Sequence, residues 1–337
     1  MPNSFEELPL RTTAAESTWR RRLAKWATTG AVAVALPAAA GFAARVWWIF
    51  ELASHFRVQY FWSLLVATVA LITLRRWRIG VLVGAFCALH AVLLWPFYAP
   101  SYRSQTARAN FKIVSLNLYS GNRQFDDVLR FIRDESPDVA VFLEVNERWG
   151  DSLTALDGEW PYSRMRAQRG TFGVALFSKR PFEESRIEFL ANGFPAVMAR
   201  LNVETAGEPA PVTIFGTHPM RPMLGVGDAA RNEQLAALAK LVTARSGATI
   251  VVGDLNTTSW SPGFSDFSER VGLVDSRLGL GVQPSWPSFL PLPFRIPIDH
   301  CLVSPGIRIA DRRIGPDVGS DHLPVIVDLA IVAPDGS

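Results

Sequence analysis

Cysteine is almost missing from this chain: Cys87 and Cys301 are the only two in 337 residues. They lie in differently composed halves, so no disulfide framework is implied. Cys301, set in His300-Cys301-Leu302-Val303, reads as a small core residue rather than a nucleophile. No repeat of fixed period runs through the sequence, which excludes solenoids and propellers. Positive charge is also scarce where a nucleic-acid groove would need it. Residues 1–109 carry 12 Lys+Arg against 4 Asp+Glu, whereas residues 110–337 carry 22 against 27, and the overall net charge of +3 hides that division. The second part therefore has no bulk cationic surplus for a phosphate backbone.

What the first part has instead is apolar length. Three runs, at about 26–44, 58–74 and 79–97, each approach the ~20 residues that cross a bilayer. Arg20, Arg21, Arg22 and Lys25 precede the first run, and Arg75, Arg76 and Arg78 separate the second from the third. The 45–57 segment holds only Arg45 and Arg57, with Glu51 between them. Positively charged loops stay in the cytoplasm. The expectation is a cytoplasmic segment 1–25, a membrane domain 26–97 with three transmembrane helices, a linker 98–110, a catalytic domain 111–331 and a tail 332–337. This describes a multi-pass protein of the cell (inner) membrane, with its larger domain periplasmic or extracellular. The long polar lead and the two later runs argue against a cleaved secretory signal. His55 and His90 read as structural or interfacial, and no protein partner can be inferred.

Beyond residue 110, strand and helix signals alternate. Strands are predicted over Phe111–Leu118, Val139–Val145, Phe172–Ser178, Ala196–Val203, Val212–Thr217, 249–255, Ile298–Ser304 and Leu323–Ile331. Apolar residues at helical spacing predict helices over Phe125–Asp134 and Ala229–Arg245. This alternation fits a single α/β domain. One stretch stands apart. Residues 285–297 hold four prolines with Trp286, Phe289 and Phe294, so they form an extended loop that either packs on the core or dips into a bilayer.

Polar residues gather at the strand ends. Asp254 and Asn256 lie two apart in Gly253-Asp254-Leu255-Asn256, on one face of a strand. Asp321-His322 opens the last strand. Carboxylates, amides and imidazoles so placed suit metal-assisted phosphoester hydrolysis, in which a cation and an imidazolium offset charge as the transition state forms. Six stretches carry the pattern: Ser115-Leu116-Asn117, Phe142-Leu143-Glu144, Gly216-Thr217-His218, the Asp254 stretch, Ile298-Asp299-His300 and Ser320-Asp321-His322.

In this order they resemble the endonuclease/exonuclease/phosphatase superfamily, which includes deoxyribonuclease I, abasic-site endonucleases, inositol-polyphosphate phosphatases and neutral sphingomyelinases. The resemblance covers residues 111–331 and none of the membrane part. It implies a four-layer α/β sandwich, two packed mixed β-sheets flanked by helices. It also implies Mg²⁺ (or Mn²⁺) at Glu144, supported by Asn117 and Asp321, since hard oxygen donors without Cys suit those ions. Asp254 would orient or deprotonate the attacking water, and Asn256 would hold a phosphoryl oxygen. His322 would bind the phosphate with Asp299 fixing its tautomer, and His218 would be the acid toward the leaving oxygen. His300, alternating away from Asp299, reads as structural. Arg231 and Gln234 read as a solvated helix face, while Trp260 and Tyr119 could either wall the site or pack.

The substrate is less legible. Leu143 stands where many nucleases of the superfamily have Gln. No basic, aromatic-interleaved insertion is present, nor a Lys/Arg cluster for a polyphosphorylated ring. The expectation is a membrane-anchored phosphodiesterase acting on a lipid head group. The alternatives are an exported nuclease for DNA or RNA and a non-catalytic membrane receptor.

Overall fold

Val139–Leu143 is apolar at every position, and this run forms β2, a strand buried on both faces. In the computed structural model, which describes residues 13–100, 108–223 and 226–332, β2 sits near the middle of one of two six-stranded sheets. That sheet runs β11 (Arg308–Ile314), β12 (Val325–Ala330), β1 (Phe111–Asn117), β2, β4 (Val174–Ser178), β3 (Tyr162–Arg166). The second runs β5 (Phe182–Phe189), β6 (Pro195–Val203), β7 (Ala210–Thr217), β8 (Ala248–Asp254), β10 (Asp299–Val303), β9 (Val274–Asp275). Each sheet has one parallel pair, β1 with β2 and β7 with β8, and is otherwise antiparallel. Parallel neighbours require crossovers, and those carry the helices.

The inner faces meet in a core that includes Ile113, Val141, Val197, Ile214, Val252, Cys301 and Val327. Each such side chain contributes roughly 1.5–3 kcal/mol by leaving water. Helix α5 (Phe125–Glu135) covers the first sheet's outer face through Val128, Leu129 and Ile132, joined there by α6 (Glu147–Leu153). Helix α7 (Ala229–Thr243) covers the second sheet through Leu235, Leu238 and Val242. Beside it lies α8 (Pro262–Val271), started by Pro262 and a Ser261 cap on the Phe264 amide and ended by left-handed Gly272. This is the expected α/β sandwich of two mixed sheets flanked by helices.

The expected elements are present with ends shifted by at most two residues. Sequence patterning missed α6, β3, β5, α8, β9 and β11. Both β3 and β5 lie toward solvent and are polar along most of their length.

The amino-terminal part departs from the expectation of three spans. Among the described residues, two helices are long and apolar enough to cross a membrane, within Thr18–Ala43 and Trp77–Tyr98. The first contains most of α1 (Thr13–Ala40) and the second is α4. The expected 58–74 span is α3 (Arg57–Thr73), only 17 residues long. A third span is obtained only if α3 is joined to α2 (Trp48–Ser54), from which it is bent by 66°. The 45–57 segment is not a plain connection: it contains α2, on which Glu51 and Ser54 are buried. Helix α1 also begins inside the segment assigned to residues 1–25. Residues 1–12, 101–107 and 333–337, which hold most of the expected lead, linker and tail, lie outside the described residues.

Candidate functional site

Strand ends bring the polar motifs to one edge of the sandwich. Asn117 closes β1 and Glu144 follows β2, its parallel neighbour. His218 follows β7, Asp254 closes β8, and Asp299 opens β10 directly opposite Asp254. Asp321 and His322 lie in the turn before β12. Gly253 allows β7 and β8 to crowd here: its φ is +143°, and a Cβ would stand 2.1 Å from the Thr217 carbonyl oxygen. Glu144 and Asn256 both adopt left-handed backbone, at φ 57° and 50°, so each side chain is turned where a regular strand would not send it.

Asp254 is the hub, and it is 1 % exposed. Its Oδ2 accepts from Asn117 Nδ2 at 3.1 Å and lies 3.3 Å from His218 Nε2 and 3.5 Å from His322 Nε2. Its Oδ1 accepts the Asn256 backbone N–H at 2.8 Å. His322 Nδ1 faces Asp299 Oδ2 at 2.9 Å, and Ser285 Oγ donates to the same oxygen at 2.5 Å. His218 Nδ1 lies 3.0 Å from the Thr171 carbonyl, which fixes the proton there. Neutral His218 then turns a bare Nε2 toward the Asn256 amide, 3.0 Å away; protonated, it donates to Asp254. Asn256 Nδ2 also donates to the Pro219 carbonyl at 2.9 Å.

Charge follows from this packing. Burial would lower the His322 pKa, but Asp299 and Asp254 outweigh it and hold the imidazolium to about 10. His218 is likewise raised, burial being overcome by Asp254. Burial works against the Asp254 carboxylate, yet the two imidazoles keep its pKa below the usual range. Asp321 is raised, chiefly by burial, with Glu144 and Asp254 adding repulsion against the pull of His322.

Two oxygen sets could hold a metal. Asp254, Asp299 and His322 place one ligand atom each within 4.8 Å of one another, but there the His322 ring already bridges the two carboxylates as a cation. Glu144 and Asp321 are the better set. Glu144 accepts from the Ser120 amide at 2.9 Å and Asn117 at 3.3 Å. Asp321 Oδ2 accepts from Trp286 Nε1 at 3.4 Å, while buried Asp321 Oδ1 has no hydrogen-bond partner. An orphaned carboxylate oxygen beside a second carboxylate, with no thiol near, fits a hard divalent cation.

Of the residues expected at the site, Glu144, His218, Asp254, Asn256, Asp321 and His322 line a cavity of about 340 Å³, and Asn117 and Asp299 stand behind it. Its walls are mainly apolar, with Phe172, Met220, Trp286, Ile296 and Ile298, and Arg221 adds one guanidinium to them. Leu52 and His55 from the amino-terminal part complete them. The sequence marks His55 only as structural or interfacial and does not mark Leu52, because no local motif signals a cavity wall. Arg231 and Gln234 overturn the expectation of a solvated helix face. Both are buried: Arg231 pairs with Glu51 at 2.5 Å, and Gln234 accepts the Met220 amide at 2.7 Å. Trp260 packs on Phe97, ring centroids 5.6 Å apart, outside the cavity, and Tyr119 is exposed beyond it. His300 is structural as expected: buried against Arg277 and the Thr257 carbonyl, its pKa falls to about 3. Burial also pushes the Cys301 thiol up to about 12, an inert core residue.

Comparison with known proteins agrees with the geometry. Over 166 residues the chain is 31% identical to inositol phosphosphingolipids phospholipase C of Saccharomyces cerevisiae. That match takes in 42% of this chain and 34% of the yeast protein, so the chain spans about a third of the curated relative's length. The fold is shared with an endonuclease/exonuclease/phosphatase from Beutenbergia cavernae, at TM-score 0.53 and 19% identity over 68% of this chain and 74% of that one. It is shared too with a Neisseria 3′ phosphatase, NExo, solved with a product DNA hairpin, at TM-score 0.54 and 19% identity over 65% and 98%. Residues 114–322 match the Endonuclease/Exonuclease/phosphatase family, and every polar stretch described above falls within that span. The chain belongs to this family.

Proposed function

We propose that the protein is a membrane-anchored, divalent-metal-dependent phosphodiesterase that cleaves a lipid phosphodiester. The observation that carries this reading is the composition of the cavity: a floor of carboxylates and imidazoles under apolar walls, one of them supplied by Leu52 and His55 of the apolar amino-terminal module. A soluble polyanion gains little from walls that offer it a single guanidinium, Arg221, whereas a lipid alcohol gains from the apolar remainder. The phospholipase C name of the yeast relative supports the same substrate class.

Helices α1 and α4, with α2 and α3, seat the chain in the bilayer; Trp26, Leu36, Leu82 and Trp95 are among the large apolar side chains they expose. The ends of these helices that meet the catalytic domain do so through Arg45 with Asp266, Gln59 with Pro293, and Phe97 with Gly281. Arg20, Arg21, Arg22 and Lys25 and the group Arg75, Arg76 and Arg78 belong to the opposite helix ends. The positive-inside rule puts those ends in the cytoplasm and the catalytic domain across the membrane. A reporter fused after Ser337 should behave as exported, and cytoplasmic reporter activity would reverse this topology.

In the reaction, Asp254 orients the attacking water and accepts its proton as the oxygen–phosphorus bond forms. The His322 imidazolium, held by Asp299, donates from Nε2 to a phosphoryl oxygen, and Asn256 steadies the same charge. Protonated His218 gives its proton to the leaving lipid oxygen, so that the alcohol and a phosphorylated head group separate. A cation held by Glu144 and Asp321, with Asn117 behind them, would add positive charge where the transition state is most anionic.

The test is cleavage by full-length protein in vesicles with Mg²⁺, offered phospholipid and plasmid DNA separately, with Asp254→Ala as the blank. Release of head group with the plasmid intact is the expected result. Nicking of plasmid without head-group release would make the protein an exported nuclease.

A further inference from the structure

Arg231 is one of the largest fully buried side chains, and it reaches in two directions. Its Nη2 donates to Glu51 Oε1 on α2 at 2.5 Å, and its Nη1 donates to the Asn256 carbonyl at 3.2 Å. Asn232 Oδ1 takes a further bond from Arg231 Nη2 at 3.0 Å, and Asp228 secures Asn232 at 2.8 Å. Glu51 is 1 % exposed, and its second oxygen has no other partner. Asn256 is the left-handed residue whose amide lies against His218. Two residues on, Thr258 Oγ1 lies 3.0 Å from His55 Nδ1. The turn that follows Asp254 is thus gripped from the far side by the amino-terminal module.

We propose that Glu51 and Arg231 are positioning residues for the reaction, through which helix α2 of the membrane module sets the geometry of Asn256 and makes the catalytic domain depend on that module. This rests on the reading of Asn256 and Asp254 given above. Without Glu51 the guanidinium would be drawn toward Asp228, whose Oδ2 lies 3.7 Å from Nη2, and away from the Asn256 carbonyl. Asn256 would then be free to leave a backbone conformation that few residues with a side chain adopt. Its amide would lose registry with His218, and the loss would appear after binding, at the transition state. Because Leu52 and His55 of the same helix wall the cavity, docking of α2 both closes the site and tunes it.

The experiment uses the full-length chain in detergent micelles with bis(p-nitrophenyl) phosphate, a water-soluble diester that needs no bilayer. Glu51→Gln and Arg231→Lys should each lower kcat tenfold or more while KM changes less than about threefold. Glu51→Gln/Arg231→Met removes both charges, so it avoids a lone buried ion; it should fold and show the same low kcat. In an Asn256→Ala background, Glu51→Gln should cost less than about twofold more, since the group it positions is gone. Unchanged kcat in the folded double variant, or an equal further loss in the Asn256→Ala background, overturns the proposal. Asp254→Ala separates the two levels. If it stays active, the reading of the site has failed; if it is inactive while the Glu51 variants are not, only the positioning role has failed.

Discussion

One oxygen of Asp299 holds two donors: Oδ2 lies 2.9 Å from His322 Nδ1 and 2.5 Å from Ser285 Oγ. The carboxylate therefore fixes both the ring plane and the tautomer of His322, leaving Nε2–H aimed into the cavity. Asp299→Asn keeps the shape but can present an amide donor to Nδ1. It should lower kcat about tenfold to a thousandfold, by analogy with the cost of misorienting a catalytic imidazole elsewhere. Ser285→Ala, which removes only the lesser partner, should cost under about fivefold. Steady-state kinetics on a soluble diester measures both, and the opposite ranking would move the orienting role to Ser285.

The same pair predicts a pH dependence of stability. The His322 pKa is raised in the folded chain, so the folded state binds this proton more tightly than the unfolded one. Its contribution is complete below about pH 6.5 and is lost as pH climbs toward about 10, by up to roughly 1.4 kcal/mol per pH unit. The stability difference between the metal-free protein and His322→Gln should accordingly shrink between pH 7 and pH 10. Chemical denaturation at several pH values gives this difference, and a gap that widened with pH would contradict the imidazolium.

Metal should act as a ligand of the folded state. Glu144 and Asp321 repel each other, and Asp321 Oδ1 is buried without a partner. A cation there relieves both costs, so Mg²⁺ at a hundred times its dissociation constant should stabilise the fold by about 2.7 kcal/mol. Asp321→Asn should raise the Mg²⁺ concentration for half-maximal activity about tenfold or more and reduce the thermal shift. EDTA should abolish turnover reversibly. A thermal shift that survives in Asp321→Asn/Glu144→Gln would place the ion elsewhere, with the cluster of Asp254, Asp299 and His322 as the next set to examine.

The strands that carry the site were readable because each is a short apolar run ending in a polar residue. The burial patterns of β2, β4 and β8 are nearly continuous, which is what a sheet covered on both faces demands. The outer strands β3 and β5 were missed because one face meets water and their residues are mostly polar. Asp254, Asn256 and His322 stood out for a different reason, as polar residues bordering apolar strand runs, and the structure brings them together. Arg231 and Glu51 did not, since a buried ion pair 180 residues apart has no local signature. Arg231 lies on a helix whose neighbours Asn232 and Glu233 are polar, and sequence alone assigns such a face to solvent. The same limit explains α2, whose Trp48 and Phe50 look like membrane residues while Glu51 reaches into the catalytic domain.

The proline-rich loop supplies the last prediction. Trp286 and Ile296 form an isolated bridge and line the cavity, while Phe289, Leu292 and Phe294 between them are 74%, 62% and 61% exposed. Gln59 of α3 donates to the Pro293 and Arg295 carbonyls at 3.0 and 2.9 Å, which ties the loop to an apolar helix that leaves Trp62 and Val66 bare. Three large apolar side chains held in water beside such a surface are costly unless a leaflet covers them. Replacing Phe289, Leu292 and Phe294 together with Ser removes that contact without touching the cavity floor. Cleavage of phosphatidylinositol in phosphatidylcholine vesicles should fall tenfold or more, whereas hydrolysis of bis(p-nitrophenyl) phosphate should stay within about twofold. Loss on both substrates would mean that the loop packs for stability, and loss on neither would mean that the bilayer reaches the cavity by another face.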